Sequence, residues 1–226
     1  VKSVLLVLSS PSGGGKTTIA KRLLAARPDT GYSVSATTRT QRAGEQDGVD
    51  YHFLGRSEFE AQVAAGEFLE WATYGGNLYG TLRREVDRVF AQGRHVVMDI
   101  EIDGASQLRS RVNHAVHVFI LPPSVPVLIA RLEGRKTEAA AAVARRLRHA
   151  ADELAAIDAY DYVVVNDALD HAVAQVSAIL DAESVRIDRR PEMLDALPAW
   201  RAELLAAAAR VEQDLSPQTE TQTCGS

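Results

Sequence analysis

From Val4 to Leu8 the chain runs through five apolar residues without a polar break, the pattern of a strand buried on both faces of a parallel sheet. A Gly-rich turn follows, and Thr17 to Ala26 reads as a helix stopped by Pro28. Three further apolar runs, His95 to Ile100, Val116 to Leu121 and Tyr160 to Val165, predict more buried strands. Helical periodicity lies between and after them, near Thr81 to Gln92, Val125 to Leu132, Glu138 to Ala156 and Ala168 to Ile187. Strands alternating with helices predict an α/β fold, a doubly wound parallel sheet. The stretch from about Ser33 to Trp71 breaks this rhythm. It carries Arg39, Arg42, Gly44 and Gly48, then Tyr51 to Phe53, then Ser57-Glu-Phe-Glu60, which has the form of a capping box opening a short helix. An insertion there, spanning about 33–92, is expected to project from the carboxyl edge of the sheet, where α/β proteins bind ligands. No internal repeat stands out. The Ala-rich pieces around Ala139 to Ala144 and Ala206 to Ala209 are good helix formers without chemistry. From Glu212 onward the chain is polar, and 212–226 is expected to be a disordered tail after a domain covering 1–211.

Composition narrows the function classes. A length of 226 residues suits one globular domain with insertions. Lys and Arg total 25 against 30 Asp and Glu, a net charge of −5, which argues against nucleic acid as a partner because that affinity comes largely from neutralising phosphates. Small anionic ligands remain compatible, since a site responds to its local field. The single cysteine, Cys224, rules out an internal disulfide and a Cys-based metal site. No apolar run reaches the roughly 18 residues of a membrane helix, and Val1 to Ser9 is too short for a signal peptide. A soluble cytoplasmic protein is expected; homo-oligomerisation is left open.

The most specific local motif is Ser10-Pro11-Ser12-Gly13-Gly14-Gly15-Lys16-Thr17, placed after a buried strand and before a helix. It follows the phosphate-loop pattern except that Ser10 stands where the first glycine is usual. Ser12, Gly13, Gly14 and Gly15 let backbone N–H groups turn towards phosphate oxygens, and the helix that begins with Lys16, Thr17 and Thr18 presents its positive end to them. The Lys16 ammonium is expected against the β and γ phosphates of ATP, with the Thr17 hydroxyl on Mg²⁺. Asp99, at the carboxyl end of a parallel strand, is the expected carboxylate of the Mg²⁺ shell.

A phosphate loop selects a donor and leaves the acceptor open. The segment Ser33-Val-Ser-Ala-Thr-Thr-Arg-Thr-Gln-Arg-Ala-Gly-Glu45 resembles the signature of the guanylate kinase family. Gly48 to Phe53, Phe68 to Trp71, Gly76 to Thr81, Arg131 to Arg135, Arg145-Arg146 and Val165 to Asp167 match its later blocks in order. The resemblance implies an inserted GMP-binding subdomain and a helical lid at about 131–156. It implies ATP as donor, Mg²⁺ as cofactor, and GMP, with dGMP, as acceptor. By the same resemblance Arg39, Arg42, Tyr51 and Tyr79 hold the GMP phosphate, while Ser35, Glu70 and Thr81 face the guanine; Glu101, near the acceptor and the metal, is a further expected GMP-binding residue. Arg131, Arg135 and Arg146 close over the transferring phosphoryl group, and Asn166 contacts the ATP side. Two guanidiniums are well matched to a phosphate. One carboxylate can accept the adjacent N1–H and N2–H of guanine, whereas adenine would present a lone pair there.

Two departures from the family stand out. Where it reads D-I-D-x-Q-G, this chain has Asp99-Ile-Glu101-Ile-Asp103-Gly104, and Lys136 replaces a glycine after the lid arginine. Three other readings compete: a non-catalytic guanylate kinase-like binding module, a phosphate-loop kinase with another acceptor such as a ribose bisphosphate, and a kinase for a modified guanine nucleotide. Retention of Lys16, Thr17, Asp99 and the arginines argues against the first. Glu70 with Arg39, Arg42, Tyr51 and Tyr79 argues against the second. Only Glu101 and Asp103 speak for the third.

Overall fold

The computed structural model describes residues 3–133 and 140–215. The described residues divide into two compact units, one of Ser3–Ser184 and one that begins at Val185.

In the first unit the apolar runs become strands, β1 (Leu5–Ser9), β2 (Thr30–Tyr32), β7 (His95–Asp99), β8 (Ala115–Leu121) and β9 (Tyr162–Val165), in one sheet of order β2-β7-β1-β8-β9. All its pairings are parallel. β1 lies at the centre with all five residues buried, which explains its unbroken apolar run. Alternate residues feed opposite cores. Leu6 and Leu8 join Val97, Val118 and Ile120 beneath α1 (Lys16–Ala26) and α7 (Leu169–Ser184), represented by Ile19, Leu23, Val176 and Leu180. Leu5 and Val7 join Val96 and Met98 beneath α3 (Arg83–Phe90) and α4 (Ile102–Arg111), represented by Val86, Val89 and Leu108. Helices on both faces make this the expected doubly wound sheet.

A second sheet, of order β4-β3-β6-β5, interrupts the alternation. It contains β3 (Ala36–Thr37), β4 (His52–Phe53), β5 (Phe68–Tyr74) and β6 (Asn77–Leu82), with α2 (Arg56–Ala64) beside it. Its core is separate: Phe59 and Phe68 stack with centroids 4.4 Å apart, packed with Ala36, Leu78 and Leu82. Gln107 of α4 ties this sheet to the first fold layer, its Nε2 donating to the Trp71 carbonyl at 2.6 Å. The helices α5 (Val125–Glu133) and α6 (Ala140–Leu154) pack through Leu128, Leu132, Leu147 and Ala150.

Several boundaries differ from the periodicity. Ser57 does not cap α2: the helix starts at Arg56 after Gly55, with no side-chain cap. Thr81 and Leu82 are strand, because their pairing with β5 buries both; tertiary pairing overrides the helical period. Val86 and Val89 put α3 in the core of the parallel sheet, so the inserted sheet itself ends at Leu82. α7 stops at Ser184. In the second unit a 3-10 turn, Ile187–Arg189, precedes α8 (Pro191–Leu215), which carries Pro198 in its interior. That helix takes in Glu212 to Leu215, the first four residues of the expected tail. Arg135, Lys136, Cys224 and the rest of the tail, 216–226, lie outside the described residues. Among the described residues no helix is long and apolar enough to cross a membrane.

Truncating Phe59 to Ala removes the centre of the inserted sheet's core, at a cost of about 3–5 kcal/mol. Amide hydrogen exchange in that variant should speed up across 36–82 while the amides of β1, β7 and β8 keep their protection. Uniform loss of protection would show that the two sheets open as one.

Candidate functional site

The site grows from one pairing. β1 and β7 are adjacent and in register, Leu8 opposite Asp99, so the loop that leaves β1 meets the residues that end β7. Gly13 and Gly15 take φ of 85° and 98°, the left-handed region that favours glycine. Gly15 is also the N-cap of α1. Gly14 N donates to the Pro11 carbonyl at 2.8 Å, which closes the turn. The Asn166 amide braces the loop from outside: its Nδ2 donates to the Gly14 carbonyl at 2.9 Å.

Charge is concentrated where loop and strand meet. Lys16 Nζ donates to Glu101 Oε1 at 2.7 Å. Burial acts to lower the Lys16 pKa, but Glu101, with Asp99 and Glu153, outweighs it and holds the ammonium above its ordinary value. Thr17 Oγ1 donates to Asp99 Oδ2 at 2.5 Å, and the Tyr32 hydroxyl donates to the other Asp99 oxygen. A hydroxyl and a carboxylate are hard oxygen donors, the chemistry Mg²⁺ takes. Among the described residues no group of three or more His, Cys, Asp or Glu could hold a metal by itself.

Facing the loop is the inserted sheet. Glu70 Oε1 accepts from the Thr81 hydroxyl at 2.6 Å. A β-bulge between Phe68 and Glu70 creates that contact, since the extra residue brings Glu70 opposite Thr81. Its other oxygen lies over Gly104, where an added Cβ would stand 2.2 Å from Glu70 Oε2. Burial pushes the Glu70 carboxyl up to about 7, against the Thr81 hydrogen bonds that favour ionisation. Tyr51 and Tyr79 meet edge to face at 6.0 Å. Burial, with Asp99 adding to it, pushes the Tyr51 phenol up to about 12, so it remains a neutral donor near pH 7. Arg39 lies over the Tyr51 ring at 5.3 Å and gives Nη1 and Nη2 to Glu45 at 3.1 and 2.8 Å. Nη1 also donates to the Thr40 carbonyl, and Tyr79 is a further side-chain partner of the guanidinium. Glu45 further accepts from the Arg42 amide at 2.8 Å.

These groups line one cavity of about 500 Å³, in the range of small-molecule sites. Ser12, Gly13, Lys16, Thr17, Asp99 and Glu101 form one side, and Ser35, Arg39, Arg42, Tyr51, Glu70 and Tyr79 the other. Arg131 and Arg146 close a third. Arg131 rests 3.5 Å from the carbonyls of Gly14 and Asn166, and Arg146 donates to the Leu132 carbonyl at 3.2 Å. Thr81 reaches the site through Glu70. Gly14, Gly15, Thr18 and Asn166 do not line the cavity, and Asp103 lies exposed beside a smaller one. Arg135 lies outside the described residues. Sequence reading gave no role to Tyr32, Glu45, Gly104 and Glu153. Only Glu45 and Gly104 carried a signal, as the last letter of the Ser33 to Glu45 segment and as the glycine after two unusual acids.

A family model described as guanylate kinase matches residues 2–183. The guanylate kinase of Symbiobacterium thermophilum is 49% identical over 188 residues, 83% of this chain and 89% of that one. The guanylate kinase of Rhodopseudomonas palustris strain HaA2 is 48% identical over 190 residues, 84% of this chain and 86% of its own length. The crystal structure of guanylate kinase from Anaplasma phagocytophilum superposes with a TM-score of 0.68 at 36% identity, covering 83% of this chain and 89% of that chain.

The raised Glu70 has a consequence for stability. Between the ordinary value of 4.5 and about 7 the folded chain holds a proton there that the unfolded chain has lost, so stability falls as pH rises through this window. Glu70→Gln keeps an acceptor for Thr81 without the charge. Its unfolding free energy should match the wild type near pH 4 and exceed it above pH 7, by up to about 3 kcal/mol. Equal stability at both pH values would contradict the burial of an ionised Glu70.

Proposed function

The chain belongs to the guanylate kinase family, a nucleoside monophosphate kinase that passes the terminal phosphoryl group of ATP to GMP, and from that premise we propose how its own residues perform the transfer. The observation that carries the assignment of roles is the single cavity in which a phosphate loop faces a buried carboxylate and two arginines.

GMP enters against the inserted sheet. Its phosphate lies between Arg39 and Arg42, with Tyr51 and Tyr79 adding neutral donors. Glu45 holds the Arg39 guanidinium in place before the ligand arrives, which lowers the ordering cost of binding. The base meets Glu70, whose ionised carboxylate accepts N1–H and N2–H together; Ser35 and Thr81 complete that wall. dGMP shares both recognised groups and is an acceptor on the same reading. ATP lies with its phosphates in the loop of Ser12 to Thr17, Lys16 exchanging Glu101 for phosphate oxygens. A GMP phosphate oxygen is already an anionic nucleophile and requires no general base. It forms a bond to the γ phosphorus as the bond to the β–γ bridging oxygen breaks, leaving GDP and ADP. Arg131 and Arg146, together with Arg135, supply positive charge to the transferring group, where positioning and charge do most of the work. Thr17 and Asp99 would hold Mg²⁺, which would supply positive charge to neutralise that developing on the ATP phosphates.

Incubation with ATP and Mg²⁺ and each of GMP, dGMP, AMP, CMP and UMP tests this reading. GDP and ADP should form in equal amounts from GMP, with little turnover of AMP, CMP or UMP; preference for AMP would overturn it. Because only ionised Glu70 accepts from guanine, kcat/KM for GMP should fall about tenfold per pH unit below about 7. Glu70→Gln should flatten that profile relative to the wild type. Gly104→Ala, which displaces the Glu70 carboxylate, should raise the KM for GMP about tenfold, or about 1.4 kcal/mol, with the KM for ATP unchanged. An unaltered KM for GMP would show that the base does not lie against Glu70.

A further inference from the structure

The transfer just described gives no task to a buried acid that touches the phosphate loop. Glu153 lies in the last turn of α6, 5% exposed. Its Oε2 accepts the backbone N–H of Ser12 at 2.9 Å, across 141 residues of sequence. Its Oε1 lies 3.3 Å from His149 Nε2, one turn back on the same helix. The His149 ring in turn lies 5.8 Å from Tyr74 of β5, and Tyr74 lies edge-on to Tyr79 at 6.3 Å. Contacts therefore run from the donor loop, through one helix, to the sheet that carries the acceptor residues.

A carboxylate is a costly way to fill this space, because a buried charge must be paired and hydrogen-bonded to be tolerated. Burial pushes the Glu153 carboxyl above its ordinary value, and the Ser12 amide and His149 work against that. An apolar side chain would pack at lower cost, so the hydrogen bond to the loop is the feature that needs explaining.

Helix geometry relates that bond to the chemistry. Positions 146, 149 and 153 of α6 share a face. Arg146 stands two turns before Glu153, about 10 Å along the axis, and lines the large cavity beside Ser12 and Lys16. Towards α5 the helix is attached by Leu147 and Ala150 against Leu128 and Leu132, and by one hydrogen bond, Arg146 Nη1 to the Leu132 carbonyl at 3.2 Å. Apolar contact is non-directional and leaves rotation and sliding weakly fixed; a hydrogen bond to a backbone amide fixes both. A helix pinned at one end by Glu153 carries Arg146 to a defined point above the loop.

We propose that Glu153 is a positioning residue for phosphoryl transfer, pinning α6 to the Ser12 amide of the phosphate loop and thereby setting where Arg146 stands over the transferred group. His149 braces the carboxylate from within the helix. The inference rests on the reading of the large cavity as the transfer site.

The test is a mutant cycle of wild type, Glu153→Ala, Arg146→Ala and the double variant, with Glu153→Gln as the conservative rescue. Glu153→Ala should lower kcat about tenfold and leave the KM for GMP within about twofold, since the residues assigned to GMP lie on the inserted sheet and its loops and not on α6. Glu153→Gln, whose amide oxygen still accepts from Ser12, should recover kcat to within about threefold of wild type. The double variant should be no slower than Arg146→Ala, because Glu153 acts through Arg146. Wild-type turnover of GMP is the separate control for the transfer-site reading: its absence would remove that reading, whereas the variant ratios concern Glu153 alone. An unchanged kcat in Glu153→Ala, a Gln variant as slow as the Ala variant, or losses that multiply in the double variant would each overturn the proposal. Should Glu153→Ala fail to fold, Glu153→Asp, one methylene too short to reach Ser12, takes its place in the same cycle with the same expected outcomes.

Discussion

The rest of the site depends on the parallel pairing of β1 with β7. With Leu8 opposite Asp99, the phosphate loop and the end of β7 leave the sheet side by side, and both run out at its carboxyl edge. From that one register follow the Thr17–Asp99 contact at 2.5 Å and the Lys16–Glu101 ion pair at 2.7 Å. A shift of one residue would turn Asp99 to the opposite face, towards α3 and α4 and away from Thr17, since side chains alternate along a strand. The apolar packing of Leu6 and Leu8 on one face and Leu5 and Val7 on the other holds the register. The chemistry of the site is thereby secured by the most buried strand of the fold.

The charges around the site are costly to keep together without a ligand. Asp99, Glu101 and Glu153 surround the one ammonium of Lys16, while Glu70 lies in a wall that disfavours its ionised form. Each acid is partly satisfied by a local donor: Tyr32 and Thr17 for Asp99, Ser12 for Glu153, Thr81 for Glu70. This is the pattern expected of a site organised for a ligand rather than for stability. Glu70 makes the tension explicit. The ionised form proposed to accept from guanine is the one its surroundings oppose, so on that reading recognition and stability respond to pH with opposite sign.

What could be read in advance divides by the range of the interactions. The strand of β1, the loop glycines and Asp99 were legible because their signals are local: an unbroken apolar run, a fixed spacing, a carboxylate at a strand end. Arg39, Arg42, Tyr51, Tyr79 and Glu70 were found through family resemblance; periodicity alone would have treated the tyrosines as packing and Glu70 as a surface acid. Tyr32, Gly104 and Glu153 went unassigned because their partners lie far along the chain, Asp99 being 67 residues from Tyr32 and Ser12 being 141 from Glu153. Thr81 was misread as helix for the same reason, since only its pairing across the bulge makes it strand. The two unusual acids both line the smaller cavity but differ in their surroundings: Glu101 also binds Lys16 and reaches the larger cavity, whereas Asp103 is exposed.

Acceptors that differ by one donor test the proposed reading of the base by Glu70. Inosine monophosphate keeps N1–H and lacks the 2-amino group, so it loses one of two hydrogen bonds to the carboxylate. Steady-state kcat/KM at pH 8 for GMP and for inosine monophosphate should differ in the wild type by roughly ten- to a hundredfold, the worth of one hydrogen bond to a charged group at about 1.5–3 kcal/mol. In Glu70→Gln that preference should shrink to about the few-fold worth of a neutral hydrogen bond. An undiminished preference for GMP in Glu70→Gln would contradict the account, and would place guanine recognition on another wall of the cavity.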